Sequence, residues 1–329
     1  MGSDRPDEFD TISRLLRPLA NHPAARGLMD DVAVLTPPDG RTLVLTHDAM
    51  VAGVHFWPHD PPDLIARKLL RVNLSDLAAK GAEPFGYLLS CAWAAECDWS
   101  WREAFAGGLA LDQSQFGLNL LGGDTVSTPG PLTIGATLIG WGRPGRSPAR
   151  SGAREGDLIL VSGTIGDAGL GLRITSGEDL GLEQDDSAWL AGRYRLPEPR
   201  TALAAMMAQL ATASADVSDG LAADLAHISE ASALSAEVDL EAMPLSVAAG
   251  RWVAGQTDAS SARACLASSG DDYEIVFTIR PEALDQVRTE AAAVGCPVTP
   301  IGVIKTGSGL VATVEGRPLE IERLGWRHR

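Results

Sequence analysis

Five short stretches of the chain place aspartate beside predicted turns or helix starts. They are Asp30-Asp31, Thr46-His47-Asp48, Asn73-Leu-Ser-Asp76, Gly122-Gly-Asp124-Thr125 and Asp216-Val-Ser-Asp219-Gly220. Carboxylate oxygens are the ligands that Mg²⁺ prefers, with water and substrate phosphates completing its octahedron. Several carboxylates around one cavity repel one another unless cations lie between them. Together the stretches predict a site where several Mg²⁺ ions bridge an acidic protein and a phosphate ligand such as ATP.

Each stretch alone also has a purely structural interpretation. Asp30-Asp31 is typical of a solvated turn, and Asp76 of an exposed helical pair with Lys80. A helix N-cap explains one polar residue of the Asp216–Asp219 stretch, but not three. The functional interpretation therefore depends on the five stretches taken together.

The charge of the chain excludes some classes of partner. The formal net charge is −16 and only three lysines occur, Lys68, Lys80 and Lys305. Nucleic acids and anionic membranes bind through Lys and Arg, so neither is an expected partner. No Gly-x-x-x-x-Gly-Lys-Ser/Thr segment is present, so the predicted phosphate chemistry is not of the P-loop type.

Cysteine spacing and the N-terminal residues predict a cytoplasmic protein. The four cysteines lack C-x-x-C spacing, and we expect buried free thiols. The first ten residues are acidic and do not resemble a signal peptide. No apolar run approaches the ~20 residues that a membrane span needs.

The elements that must position these residues form two domains in our prediction. At 329 residues the chain exceeds the usual size of a single core. An arginine- and proline-rich stretch between Gly142 and Gly156 sets the boundary, giving domains at residues 1–145 and 146–329. The mixture of short strands and helices predicts an α+β fold, with mixed sheets packed against helices.

Periodicity and turn residues give the predicted elements. Helices are predicted at residues 8–20, 61–80, 99–116, 201–210, 221–233 and 281–294, with another after Gly166. Strands are predicted at residues 31–36, 42–46, 87–95, 118–121, 132–140, 157–162, 273–279, 298–304 and 310–314. Asp48 is expected just after its strand.

Several motifs, in order, resemble those of the thiamine-monophosphate kinases, within the aminoimidazole-ribonucleotide-synthetase-like superfamily. They are Val51-Ala-Gly-Val-His55-Phe56, Val72-Asn-Leu-Ser-Asp76-Leu-Ala-Ala79, Leu121-Gly-Gly-Asp124-Thr125, Arg150-Ser-Gly-Ala, Asp216-Val-Ser-Asp219-Gly-Leu221 and Asp272-Tyr-Glu274. The similarity runs from Glu8-Phe9 to Gly325-Trp326, which is nearly the whole chain.

The resemblance implies a reaction, a fold and a set of roles. ATP and thiamine monophosphate would give ADP and thiamine diphosphate, in a homodimer joined by the N-terminal sheets, with the C-terminal domain completing each active site. The implied Mg²⁺ ligands are Asp31, Thr46, Asp48, Asp76, Asp124, Asp216 and Asp219, with His47 as a further candidate. The implied ATP contacts are Gly123, Asp124, Arg150 and Ser218. The implied contacts to thiamine monophosphate are His55, Asp271 and Trp326.

Three positions depart from the family pattern. Met29 stands where a glycine is frequent, His47 replaces a threonine, and Asp271 replaces a glutamate. A neutral imidazole prefers softer metals than Mg²⁺. The shorter Asp271 side chain implies a lost or water-mediated substrate contact.

Three other functions remain as alternatives. A synthetase of the same superfamily would also use ATP, although the cysteines expected of selenophosphate synthetase and of the hydrogenase-maturation relative are missing. A non-catalytic nucleotide or thiamine-phosphate sensor is compatible with Met29, His47 and Asp271. A metal hydrolase would release phosphate without an acceptor.

Overall fold

The computed structural model of the chain describes residues 8–30, 32–319, 321 and 324–326. The chain divides into two compact units. The first comprises residues 1–77 and 83–144, and the second comprises residues 78–82 and 145–329. The short segment 78–82, at the end of a helix of the first unit, was not anticipated as part of the second.

The first unit contains a four-stranded mixed sheet. Its strands are β1 (Thr42–Val51), β2 (Glu83–Trp93), β3 (Asn119–Ser127) and β4 (Thr133–Gly142), in the order β1-β4-β2-β3. Only β2 and β3 run parallel. All four strands were predicted, but β1 continues to Val51, so Asp48 lies inside the strand rather than after it.

Helices cover one face of this sheet. A short α1 (Glu8–Thr11) precedes α2 (Pro62–Ala79) and α3 (Trp99–Phe116), and the last two match the predicted helices. The side chain of Tyr87 on β2 donates a hydrogen bond to Gln113 of α3. We call the opposite side of the sheet the open face; its exposed apolar side chains are Leu43, Leu45, Leu88 and Val126.

The predicted strand at residues 31–36 is wrong. Residue 31 lies outside the described residues, and residues 32–36 form no strand. Ala33 and Leu35 instead pack against the cluster of Ala24, Leu121 and Ile139. Ala33 and Leu35, at alternate positions of this segment, are thus partly buried although the segment does not pair as a strand.

The second unit is built on a seven-stranded sheet. Its strands are β5 (Leu158–Ser162), β6 (Ala211–Asp216), β7 (Ser235–Asp239), β8 (Ile275–Ile279), β9 (Val298–Lys305), β10 (Gly309–Val314) and β11 (Arg317–Leu319), in the order β11-β10-β7-β9-β5-β8-β6. Its helices are α4 (Asp167–Thr175), α5 (Gln184–Arg195), α6 (Ala204–Leu210), α7 (Leu221–Ser232), α8 (Val247–Ala254), α9 (Ala259–Ala267) and α10 (Leu284–Ala293).

Both faces of this sheet are covered. Ile159 and Val161 of β5 belong to a core shared with α4, α5, α7, α8 and α9. Leu160 belongs to a second core that includes α6, α10 and the end of α2. This alternation is the period of two that a strand buried on both sides requires. The loops of the second unit are therefore supported by a sheet that has a hydrophobic core on each face.

Within the described residues, no helix combines the length and apolar character needed to cross a membrane. All four cysteines are free thiols. Cys91, Cys97 and Cys296 are buried as expected, but Cys265 is exposed, which corrects the prediction for that residue.

Candidate functional site

Two residues of β1 meet the polar face of α2. The hydroxyl of Thr46 donates to the Asp76 carboxylate at 2.5 Å. The backbone N–H of Asp48 donates to the buried amide oxygen of Asn73 at 3.0 Å, and the Asn73 NH₂ group donates to the backbone carbonyl of Leu69. Asn73 thus links the strand to the helix. The face of α2 that carries Asn73 and Asp76 is therefore a contact surface for β1.

Asp48 carries a strongly perturbed carboxyl group. Burial, followed by the neighbouring Asp76 charge, raises the pKa of Asp48 to about 6, while His47 acts in the opposite direction. Desolvation and a nearby like charge both disfavour the ionised form. A cation between the two carboxylates would remove this penalty. The donor atoms here are all oxygens, as a Mg²⁺ site requires.

His47 does not share this environment. Neighbouring residues of a strand project to opposite faces, so His47 lies on the open face while Asp48 faces α2. The His47 Nδ1 atom lies 2.9 Å from the Thr137 hydroxyl on the paired strand β4. The structure therefore does not bring the imidazole of His47 together with Asp48 and Asp76.

Gly123 and Asp124 lie on β3, at the far edge of the sheet from β1. Gly123 has φ of 153°, and an added Cβ would lie 1.9 Å from the Leu89 carbonyl oxygen. Asp124 is exposed and accepts the backbone N–H of Thr125 at 2.9 Å. Three strand spacings separate β3 from β1, roughly 14 Å. The structure thus does not bring Asp124 beside Asp48 within the first unit.

The first aspartate stretch lies before the sheet. Asp31 is outside the described residues, so its predicted role as a ligand stays a prediction. Asp30 forms an ion pair with Arg26, four residues earlier. Met29 has 74% of its side chain exposed.

His55 follows β1 in a compact turn. Its Nδ1 atom accepts the backbone N–H of Val51 at 3.0 Å, and its backbone carbonyl accepts from Lys68. The imidazole is half-buried. The Nδ1 atom is therefore used by the turn, and a substrate contact would have to come from the rest of the ring.

The second unit holds the last aspartate stretch in a loop between β6 and α7. Asp216 ends β6 and is buried, whereas Ser218 and Asp219 are half-buried. A carboxylate that the sequence analysis missed, Asp224 in the first turn of α7, accepts the backbone N–H groups of Ser218 and Asp219. The sequence feature that could have identified Asp224 is its position in the first turn of α7, where an acidic side chain stabilises the helix N-terminus.

Asp224 is buried and close to two further charges. Burial, followed by the Asp219 carboxylate, raises the pKa of Asp224 to about 7. The charge of Arg150 lowers it. Arg150 and the Asp216–Asp219 stretch, which were predicted to act together, therefore lie in one neighbourhood of the second unit.

The segment that contains Asp271 runs beside the same loop. The N–H of Asp271 donates to the Ser218 carbonyl, and the N–H of Tyr273 donates to the Val217 carbonyl. Asp271 and Tyr273 both have positive φ, 69° and 51°. Such backbone is unfavourable for residues other than glycine and persists where the surroundings fix it.

Two buried carboxylates fix this segment. Asp272 accepts the N–H groups of Gly166 and Ala168 at the start of α4, at 2.6 and 3.0 Å. Glu274 accepts from Ser162 and Arg200. These contacts hold the side chains of Asp272 and Glu274 in the protein interior, whereas Asp271 remains half-buried beside Ser218.

The C-terminal residues contact the loop as well. The backbone N–H of Trp326 donates to the Asp219 carbonyl at 2.9 Å, and an added Cβ on Gly325 would lie 2.4 Å from that oxygen. The Trp326 side chain is 48% exposed. Ser218, Asp219, Asp271 and Trp326, predicted for ligand contacts, therefore lie together in the second unit.

Among the residues that the structure describes, no three His, Cys, Asp or Glu side chains are grouped closely enough to hold a metal ion by themselves. The donors identified above include a hydroxyl, and Mg²⁺ usually takes only one or two carboxylates, with water and phosphate as its other ligands. The donor chemistry of Thr46, Asp48 and Asp76 fits such an ion.

Comparison with known proteins identifies the family. Residues 29–141 match the family model of the AIR synthase related protein, N-terminal domain, and residues 154–315 match that of the C-terminal domain. The thiamine-monophosphate kinase of Caulobacter vibrioides is 51% identical over 324 residues, which cover 98% of this chain and 91% of that protein.

Solved structures agree with this result. The crystal structure of thiamine-monophosphate kinase from Stenotrophomonas maltophilia is 36% identical, with a TM-score of 0.81, over 92% of this chain and 95% of that chain. The structure of AaThiL complexed with AMPPCP and TMP is 28% identical, with a TM-score of 0.77, over 98% and 97%. The predicted fold class is confirmed, and the chain belongs to the thiamine-monophosphate kinase family.

Proposed function

We propose that this protein transfers a phosphoryl group from ATP to thiamine monophosphate, which gives ADP and thiamine diphosphate. The family relationship supports the substrates, because a relative of the same fold is complexed with AMPPCP and TMP. The observation that carries the proposal is the pair formed by Asp48 and Asp76. Burial, followed by the neighbouring Asp76 charge, raises the pKa of Asp48, so the pair suits a cation that accompanies a nucleotide.

Magnesium ions complete the proposed site. In the first unit, Thr46, Asp48 and Asp76 would hold them, and in the second unit Asp216 and Asp219. When bound, Mg²⁺ neutralises the charge that develops on the transferred phosphoryl group. Asp31 and Asp124 stay predicted ligands.

The acceptor of the phosphoryl group needs no general base. The second pKa of a phosphate monoester is near 6, so thiamine monophosphate is largely dianionic at about pH 7. The protein must instead align two anions in line and lower the repulsion between them. Arg150 supplies protein charge near Asp219. We therefore propose direct transfer without a phosphoenzyme, and a phosphoprotein isolated after mixing with ATP alone would contradict it.

The remaining predicted residues take binding roles. Gly123 gives a close main-chain approach, and Ser218 presents a hydroxyl beside Asp219 for the nucleotide. For thiamine monophosphate we propose His55, Asp271 and Trp326. The exposed indole of Trp326 suits a cationic thiazolium, because tryptophan is the best cation–π partner.

A homodimer through the open face of the first sheet is part of the proposal. Leu45 and Val126 on this face are 57% and 52% exposed, although large apolar side chains of a strand are usually buried against another element. An exposed apolar patch indicates an interaction surface. Self-association would cover it, and a cytoplasmic location agrees with the free thiols.

A coupled assay of ADP formation tests the function. ADP should appear only with Mg²⁺ and should rise strongly when thiamine monophosphate is added, in step with thiamine diphosphate. ADP without stimulation would overturn the kinase assignment, and phosphate release without an acceptor would indicate a hydrolase. Nucleotide binding without any ADP would indicate a sensor, whereas dependence on a different acceptor would indicate a synthetase.

A further inference from the structure

Asp224 makes an unusual contact for a helical residue. Its side chain is 1% exposed, and one oxygen, Oδ2, accepts the backbone N–H groups of Ser218 at 3.0 Å and Asp219 at 3.1 Å. Both donors precede α7. The residue before the helix is Gly220, which has no side chain to cap it. The carboxylate therefore organises the loop, and not only the helix end.

The same two residues are held from their carbonyl sides. The Ser218 carbonyl accepts the N–H of Asp271, and the Asp219 carbonyl accepts the N–H of Trp326. In Ser218 and Asp219 alike, Asp224 thus holds the backbone N–H, and another segment of the second unit holds the backbone carbonyl. Only the side chains of Ser218 and Asp219 remain to contact a ligand.

An asparagine at this position would offer an acceptor oxygen without the buried charge.

We propose that Asp224 is a positioning residue: by holding the N–H groups of Ser218 and Asp219, it fixes the main chain from which these two side chains reach the nucleotide and its metal ion. The inference rests on the proposed function only in naming that ligand. It assigns to Asp224 an effect through geometry, not through direct contact with substrate.

Two substitutions separate geometry from charge. Asp224→Asn keeps an acceptor oxygen at the same place and removes the charge, whereas Asp224→Glu keeps the charge and moves the carboxylate by one methylene group. Affinity for AMPPCP with Mg²⁺ should stay within about threefold in Asp224→Asn and fall by about tenfold or more in Asp224→Glu. Hydrogen exchange of the Ser218 and Asp219 amides, measured without ligand, should quicken about tenfold only in Asp224→Glu.

Asp258 offers a matched control. It accepts the N–H groups of Ser260 and Ser261 at the start of α9 and is exposed. Asp258→Glu should change the exchange of those amides without changing nucleotide affinity.

Two outcomes would overturn the proposal. A loss of nucleotide affinity in Asp224→Asn together with wild-type affinity in Asp224→Glu would show that the charge matters and not the geometry. Wild-type exchange at Ser218 and Asp219 in Asp224→Glu would show that Asp224 does not hold the loop. Hydrogen exchange does not depend on turnover. A wild-type protein that forms no ADP would therefore overturn the proposed function, while the exchange measurement would still test the role of Asp224.

Discussion

At the scale of single residues, the site depends on carboxylates whose environments differ. Asp48 is crowded by Asp76, whereas Asp219 lies in a loop held by hydrogen bonds to its backbone. The residue types and their order could be predicted from the sequence. The environments could not, because burial, neighbouring charges and hydrogen bonds come from residues distant in the chain, such as Asp76 for Asp48 and Trp326 for Asp219.

Removing either charge should stop turnover and spare the fold. For Asp48→Asn and Asp219→Asn we expect kcat to fall by about 100-fold or more, because a proposed metal ligand loses its charge. Steady-state kinetics and circular dichroism check this. The control is Asp39→Asn, an exposed turn residue of the first unit. Activity within a few-fold of wild type in the two variants would make these residues structural.

Trp326 should affect one substrate more than the other. Trp326→Ala removes the proposed cation–π partner, so KM for thiamine monophosphate should rise roughly three- to thirtyfold, with little change for ATP. Trp189→Ala is a matched control, since Trp189 is 46% exposed on α5. Equal changes for both substrates would remove Trp326 from the thiamine monophosphate site.

A buried carboxylate outside the site gives a dependence of stability on pH. Asp167 is buried and accepts from the hydroxyls of Thr164 and Ser246 at 2.5 and 2.6 Å. Burial raises the pKa of Asp167, so the folded protein holds this proton more tightly than the unfolded chain. The associated stability is fully present below the unfolded pKa of about 3.9 and is lost as pH rises through the folded value.

Asp167→Asn should remove this loss, because both hydroxyls can turn to accept from an amide. The free energy of unfolding of the variant, relative to wild type, should therefore increase between about pH 4 and pH 8. Urea denaturation across that range measures it. A constant difference would contradict the prediction. Asp258→Asn should behave oppositely and at lower pH, because hydrogen bonds from Ser261 lower the pKa of Asp258; its free energy of unfolding relative to wild type should increase as pH falls below about 4.

At the scale of elements, sequence patterns predicted the strongly periodic segments. The long helices α2 and α3 were confirmed nearly to the residue. β6, with the sequence Ala-Thr-Ala-Ser-Ala-Asp, and the Ala- and Ser-rich helix α9 were missed, because small residues give no clear alternation between apolar and polar positions. The same absence of a signal hid the strand that places Asp216.

The contact between β2 and β3 should depend on a missing side chain at Gly123. Gly123→Ala would place Cβ 1.9 Å from the Leu89 carbonyl oxygen, so we expect a loss of at least about 2 kcal/mol in the free energy of unfolding. At Gly122 the nearest atom, on Leu88, would lie at 3.4 Å. Gly122→Ala should therefore cost about 0.5 kcal/mol or less in urea denaturation. Similar losses at both positions would contradict the steric argument.

At the scale of the whole molecule, the proposed dimer would cover the open face of the first sheet. Leu45→Glu places a charge among its exposed apolar side chains and should raise the dimer dissociation constant roughly 30-fold or more. Leu111→Glu is the control, because Leu111 is equally exposed but lies on α3. Light scattering over a range of concentrations measures both. A Leu45→Glu protein that stays dimeric would place the interface elsewhere.

The alternation along β1 restricts how this strand can change. Even-numbered residues Thr46 and Asp48 meet α2, and odd-numbered residues Leu45 and His47 lie on the other side. Deleting one residue upstream of Thr46 would exchange the two sets, presenting leucine and imidazole to Asn73 and sending both oxygen donors outward. The proposed metal site and the proposed dimer interface would both be lost through this one deletion. Insertions and deletions of single residues in this strand should therefore not be tolerated. The exposed connection between α4 and α5 is not paired in a sheet, so a change in its length would not shift any strand register.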